Sequence, residues 1–196
     1  SIETSSAFDM NIVKNLFETG KIDKTIEVVC NGFKTDDYLA KISDLINNGF
    51  ENVIPVLDNY RELDKLTESI DTTFDIGIRI ASEEEPKFEF YTSRLGIGYK
   101  DIIPYYSQKI AEHPNARLKM LHFFINTGIK DTAYYWNELF KCLRVYARLK
   151  KIAPEVDSLN IGGGFPIKNS LQFDYDYEYM ANEIVYQIKK FCEEEG

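Results

Sequence analysis

The sequence is short of cysteine: Cys30, Cys142 and Cys192 are the only three in 196 residues, an odd and widely spaced set with no C-x-x-C pair. A zinc ribbon, a dithiol redox centre and a disulfide framework all lack their raw material, and reduced thiols in a cytoplasmic protein are the simplest expectation. Basic residues are scarce too, with 23 Lys and Arg against 32 Asp and Glu and a net charge of -9. That sign repels polyphosphate and argues against a nucleic-acid partner, while small anions held locally stay compatible with it. No apolar run approaches the roughly 18 residues of a membrane span, so no membrane partner is expected. Ser1-Ile2-Glu3-Thr4-Ser5-Ser6 lacks the charged and apolar zones of a signal peptide. No Gly/Ser/Pro-rich linker divides the chain, so residues 1–196 are expected to fold as one unit.

The apolar fraction, 44% with 14% aromatic, suffices for a real core. Short β-rich runs alternate with helical periodicity along the whole chain. Strands are expected at Ile2–Ser5, Thr25–Cys30, Asn52–Leu57, Phe74–Ile80, Leu118–Ile125 and Asp157–Ile161. The first helix carries Phe8, Ile12, Val13, Leu16 and Phe17 on one face and stops at Gly20; the second carries Leu39, Ile42 and Ile46 and stops at Gly49. Further helices are expected around Tyr60–Ser69, Asp101–Glu112, Asp131–Lys151 and Tyr177–Glu194. The stretch from Ala81 to Lys100 is too long for a plain connection, and loops of that size usually serve function.

About six βα units suit either an open doubly wound sheet or part of an eightfold barrel. Length favours the open sheet. However, a dinucleotide-binding fold carries its glycines after the first strand, and here they follow the last. A chain that starts at a strand and stops in a helix also resembles a piece of a larger barrel.

The sharpest motif is Leu159-Asn160-Ile161-Gly162-Gly163-Gly164-Phe165-Pro166. Residues without Cβ let successive backbone N–H groups converge on an anion, so two or three hydrogen bonds of about 1.5–3 kcal/mol each can hold a phosphate without Lys or Arg. A tight turn that merely packs helix on strand is the competing reading. In Leu121-His122-Phe123-Phe124-Ile125-Asn126-Thr127-Gly128, alternation puts His122, Phe124 and Asn126 on one side, where a flat aromatic ligand could stack. A satisfied core histidine and core phenylalanines are the plain alternative. Arg79 is a charge inside an apolar strand, suited to an anion or phenolate contact or to a carboxylate on the next strand. Glu3, Ser6 and Asp9 line the first strand end, unless Ser6 and Asp9 are simply helix caps. Lys34 reads as an exposed loop lysine beside Asp36 and Asp37 and not as a Schiff-base nucleophile.

Cys30-Asn31-Gly32-Phe33-Lys34, Ser93-Arg94-Leu95-Gly96-Ile97, Leu121-His122-Phe123-Phe124 and the glycine motif, in this order, resemble the barrel domain of pyridoxal-phosphate decarboxylases of basic amino acids. The likeness is strongest to biosynthetic arginine decarboxylases, with ornithine and diaminopimelate decarboxylases next. It implies an incomplete (β/α) TIM-type barrel of about six of eight units. It also implies pyridoxal phosphate as cofactor, an amino-acid substrate, polyamine biosynthesis and a homodimeric full-length protein. By the same resemblance Gly162, Gly163, Gly164 and Phe165 hold the cofactor phosphate, with Thr127 in place of a family serine. Arg79, Glu3 and Ser6 lie near the ring, Phe124 stands where a ring-stacking histidine belongs, or His122 takes that place. Asp9 and Arg94 fall towards substrate or dimer interface, and Asn160 replaces a usual aspartate. The Schiff-base lysine, the acid that pairs with the pyridine nitrogen and a C-terminal β-domain are expected outside this chain, so the catalytic residue is unassigned and the chain alone is expected to be inactive. The alternatives are a catalytically silent binding relative of the same fold, suggested by Phe124, and a phosphosugar-binding barrel enzyme. No metal site is expected.

Overall fold

The computed structural model describes residues 1–82, 95–125, 128–168, 171 and 173–195. Its elements run β1 (Ile2–Thr4), α1 (Ala7–Glu18), β2 (Glu27–Cys30), α2 (Asp36–Asn47), β3 (Asn52–Leu57), α3 (Arg61–Thr67), β4 (Phe74–Ala81), β5 (Ile97–Gly98), α4 (Ile102–Tyr105), β6 (Ala116–Phe123), α5 (Ala133–Ile152), β7 (Ser158–Asn160) and α6 (Tyr177–Glu195). The strands pair in parallel in the order β1-β2-β3-β4-β6-β7, with the two-residue β5 joined to β4. Each main strand returns through a helix, so the chain is a curled parallel sheet, an incomplete barrel. The curl is close enough that the side chains of Glu3 on β1 and Asn160 on β7 meet at 2.8 Å.

Local chemistry explains the element starts. Ser6, Thr35 and Thr132 adopt extended backbone before α1, α2 and α5, and each hydroxyl accepts an amide hydrogen bond from the residue three further on. Such caps contribute about 1 kcal/mol each. The expected helix over Asp101–Glu112 is instead α4 followed by a π-helical turn, Tyr106–Ile110. Pro104 is tolerated because it lies in the first turn, where N–H groups have no helical partner.

The strand faces separate cleanly. Val28, Cys30, Leu57, Ile76, Ile78, Ile80, Leu121 and Phe123 belong to the large core shared with the helices. Val29, Ile54, Val56 and Met120 form a second small cluster on the inner side of the curl. Burial of each such side chain stabilises the fold by about 1.5–3 kcal/mol, which is why these strands read as nearly continuous apolar runs. One irregularity sets the inner face: the β4–β6 register jumps from Ile76↔Leu118 to Gly77↔Met120, leaving Lys119 as an extra residue. Beyond it Arg79 pairs with His122, and His122 pairs with Asn160. The first helix departs from its expected face. Met10 and Val13 are buried, whereas Phe8 is 71% and Ile12 49% exposed: α1 follows a strand that ends the sheet among the described residues, and its main helical contact is with α2.

Candidate functional site

The inner face carries its polar residues at the carboxyl ends of the strands. Glu3 pairs with Val29 in register, so it shares the inner face with the small apolar cluster. One step above that cluster stand Asn31, Asp58, Arg79, His122 and Asn160, where parallel α/β sheets place their ligands.

Arg79 Nη1 lies 3.7 Å from Asp58 Oδ1, and its guanidinium carbon sits 5.1 Å from the centre of the Phe124 ring. Of the two readings of this charge, the structure realises the carboxylate at the neighbouring strand, since Asp58 directly follows β3. Burial raises the Asp58 carboxyl above its ordinary pKa, against the opposing pull of Lys34 and Arg79. His122 is 4% exposed, and burial, with the charges of Arg79 and Lys34, pushes its pKa down to about 3. It is therefore a neutral imidazole near pH 7. Its Nδ1 is buried without a hydrogen-bond partner among the described residues.

Lys34 overturns the sequence expectation of an exposed loop lysine. It is 2% exposed, and its Nζ donates to the carbonyls of Gly32, at 2.8 Å, and Val56 and lies 3.3 Å from Glu62 Oε2. Glu62 in turn accepts from the amides of Lys34 and Asp58 and from Asn59 Nδ2. The neighbouring aspartates face elsewhere: Asp36 pairs with Lys65 and Asp37 with Lys41. A buried ammonium tied to three acceptors is no nucleophile, so Lys34 has a structural role beside the mouth. A cavity of about 510 Å³ opens over Lys34, Asp58 and Glu62, bounded by Phe33 and Leu95, and the glycine bend forms no part of its wall.

The glycine bend sits on the same rim as Arg79. A Cβ at Gly162 would lie 2.6 Å from the Phe123 carbonyl oxygen and 3.2 Å from Phe124 Cδ2, and Gly162 has φ +71°, where only glycine is unstrained. Its amide donates to Asn160 Oδ1 at 2.8 Å, so this first N–H is already occupied. The amides of Gly163, Gly164 and Phe165 donate to nothing among the described residues. The Gly164 carbonyl accepts from Ile129 at 3.0 Å, which ties the bend to the loop after β6. A Cβ at Gly163 would meet nothing within 4 Å. Three unused donors in succession, with open space at Gly163, can serve as a cradle for an anion. Phe165 itself packs edge-on against Tyr175 and is 37% exposed.

Other expected residues are placed differently. Ser6 caps α1, and Asp9 accepts from the Ser5 amide at 2.8 Å and the Ser5 hydroxyl at 3.1 Å, which holds its carboxyl below the usual range. Both are spent on the helix start. Glu3 instead faces inward, where Oε2 accepts from Asn31 Nδ2 at 3.0 Å and Oε1 from Asn160 Nδ2. Thr127, its neighbour Asn126, and Arg94 lie outside the described residues. Sequence reasoning missed Asp58 and Glu62. Asp58 directly follows the apolar run Val53–Leu57, and that position was its signal; Glu62 gave none. No group of three or more metal-binding side chains occurs among the described residues, and no described helix is long and apolar enough to cross a membrane.

The family profile described as "Pyridoxal-dependent decarboxylase, pyridoxal binding domain" matches residues 4–196. A biosynthetic arginine decarboxylase of Rhodopirellula baltica is 24% identical over 192 residues, covering 89% of this chain and 28% of that protein. The crystal structure of the biosynthetic arginine decarboxylase of Campylobacter jejuni superposes with a TM-score of 0.69 at 20% identity, covering 98% of this chain and 32% of that one. A lysine decarboxylase from Selenomonas ruminantium gives a TM-score of 0.72 at 21% identity, covering 96% of this chain and 46% of that one. The chain spans less than a third of the length of the curated relatives it matches.

Proposed function

Since the chain belongs to the pyridoxal-dependent decarboxylases, matching their pyridoxal-binding domain over residues 4–196, we propose that it forms the cofactor cradle of an enzyme that decarboxylates a basic amino acid, arginine to agmatine. The observation that carries this reading is the set of unused amides at Gly163, Gly164 and Phe165 beside Phe124 and Arg79.

The residues present fit pyridoxal phosphate. Three amides directed at a phosphate contribute about 1.5–3 kcal/mol each, enough to hold a dianion on an acidic protein. Phe124 supplies a flat apolar surface whose other partner is the Arg79 guanidinium, an arrangement worth about 0.5–2 kcal/mol. Asp58 holds that guanidinium in place. His122, kept neutral by burial, presents an uncharged imidazole on the same face, so it adds no positive charge that would draw the phosphate away from the amides. When bound, pyridoxal phosphate supplies an electron sink for the charge left as carbon dioxide departs. Phe124 can stack but cannot move a proton, so any proton at this point of the mouth must be carried by another group.

Arginine as substrate rests on the names of the relatives and on the sequence likeness. The same reading carries polyamine biosynthesis, a cytoplasmic location and a homodimer, with Thr127 on the phosphate side and Arg94 towards interface or substrate. Barrel strands, the Schiff-base lysine and a β-domain outside residues 1–196 also belong to this proposal. Titration with pyridoxal phosphate, followed by amide chemical shifts, is expected to move Gly163, Gly164 and Phe165 first. Unmoved amides there would refute the cradle. Release of carbon dioxide from arginine, ornithine, lysine and diaminopimelate by the full-length protein then fixes the substrate, with arginine expected fastest. Phe124 alone favours a second reading, a catalytically silent relative; binding of pyridoxal phosphate with no turnover of any of the four would support it.

A further inference from the structure

We infer that Glu3 and Asn160 form a clasp across the mouth that sets the shape of the glycine bend, making both of them positioning residues for a phosphate; this deepens the cradle reading and rests on it. β1 and β7 stand at the two ends of the strand order among the described residues, and no backbone ladder joins them there. The Asn160 amide joins them instead. Its Nδ2 donates to Glu3 Oε1 at 2.8 Å while its Oδ1 accepts from Gly162 N–H at 2.8 Å. This orientation is the only one that works at both ends. Turning the amide over would set its NH2 against an N–H and its oxygen against a carboxylate. Glu3 is itself pinned, because Oε2 takes the Asn31 amide at 3.0 Å, so it offers Asn160 an acceptor in a fixed place. Three strand ends thus converge on one carboxylate, and the far end of the chain of bonds is the first N–H of the bend. With that N–H taken by Asn160, the next three amides are left without a partner among the described residues, and the space at Gly163 is open.

The clasp explains a departure from the family likeness. An aspartate at 160 would keep the Gly162 bond but place a carboxylate oxygen against Glu3 at hydrogen-bond distance, and two such groups cannot both stay ionised there. With glutamate fixed at position 3, the partner must donate, and asparagine is the residue that donates on one side and accepts on the other.

The experiment compares wild type, E3A, N160D and the exchanged pair E3Q/N160D in the full chain. Affinity for pyridoxal phosphate and for inorganic phosphate is read by calorimetry, and hydrogen exchange at the Gly162 amide is read without ligand. The clasp predicts that E3A and N160D each weaken phosphate binding by about tenfold, within the usual coupling of residues in one network. E3Q/N160D should return to within about twofold of wild type, because glutamine can donate to the aspartate and still accept from Asn31. A simple effect of net charge predicts the opposite sign for E3A, which removes a negative charge from the mouth and would tighten phosphate binding. Tighter or unchanged binding by E3A therefore overturns the clasp, as does an exchanged pair no better than N160D. If wild type binds neither phosphate, the cradle reading fails, and the clasp is judged on Gly162 exchange alone. Faster exchange in E3A and N160D with protection regained in the pair supports it; equal exchange in all four overturns it. Should N160D fail to fold, folding restored in the pair supports the clasp, and folding not restored overturns it.

Discussion

Replacing Gly162 and Gly163 one at a time by alanine separates a packing turn from an anion cradle. At Gly162, alanine must adopt φ near +71°, which costs about 1–2 kcal/mol in an L-residue. Its methyl would also lie 2.6 Å from the Phe123 carbonyl oxygen, and relief of such overpacking typically costs a further 1–3 kcal/mol, roughly. The expected destabilisation is therefore about 2–5 kcal/mol. At Gly163 the backbone is unstrained for alanine and the methyl meets nothing within 4 Å, so stability should change by less than about 0.5 kcal/mol. The same methyl stands in the open space over the bend. It should keep a phosphate from reaching at least one amide and weaken pyridoxal phosphate binding by roughly 10- to 100-fold, the worth of one charge-assisted hydrogen bond. Urea unfolding followed by the fluorescence of Trp136, the single tryptophan, reads the first quantity, and titration with pyridoxal phosphate reads the second. If G163A proved as unstable as G162A, or if it bound the cofactor like wild type, the bend would be a packing turn and the cradle argument would fail.

The Lys34–Glu62 pair gives a second test: K34M leaves Glu62 buried without its cation and should cost about 3–5 kcal/mol in urea unfolding, while K34M/E62L should recover most of that loss. Equal instability of the two variants would show that the pair is not the issue. His122 supplies a pH signature. The unfolded chain takes up a proton near pH 6.5 that the folded chain refuses until about pH 3, so wild type should lose stability relative to H122L as pH falls through this window, by up to about 1.4 kcal/mol per pH unit. Above pH 6.5 the difference should be flat. Asp58 and Glu62, whose folded pKa values are raised, act in the opposite direction but are common to both chains. A difference that does not vary with pH would refute the buried neutral imidazole.

The order of strands and the glycine bend were legible because local signals agreed with the final packing. Val53–Leu57 is an apolar run bounded by polar residues, and Gly20 and Gly49, both at positive φ, close the first two helices where they were expected to. Alternation along the sixth strand run was legible as well: His122 and Phe124, expected on one side, both lie beside Arg79. Lys34 was misread because its burial depends on carbonyls at Gly32 and Val56 and on a carboxylate 28 positions along, none of which shows in the residues around it. The surplus of Asp36 and Asp37 nearby suggested solvent, but those carboxylates serve other lysines. Ser6 and Asp9 were ambiguous for a related reason: a strand end that can face a ligand is also a helix start that needs caps, and in the fold the helix start claims both.

Lys119 gives β6 one residue of slack, with a consequence for how this protein can change length. Its removal would let Leu118 run straight into Met120 with every later pairing intact, so the mouth should survive that deletion. The same deletion at Leu121 would turn the imidazole of His122 out among the helices and bring an apolar neighbour under Arg79. The closed end of the strand and its open end are thus separately editable, and indels near the mouth should be tolerated on one side of Met120 and lethal to the site on the other.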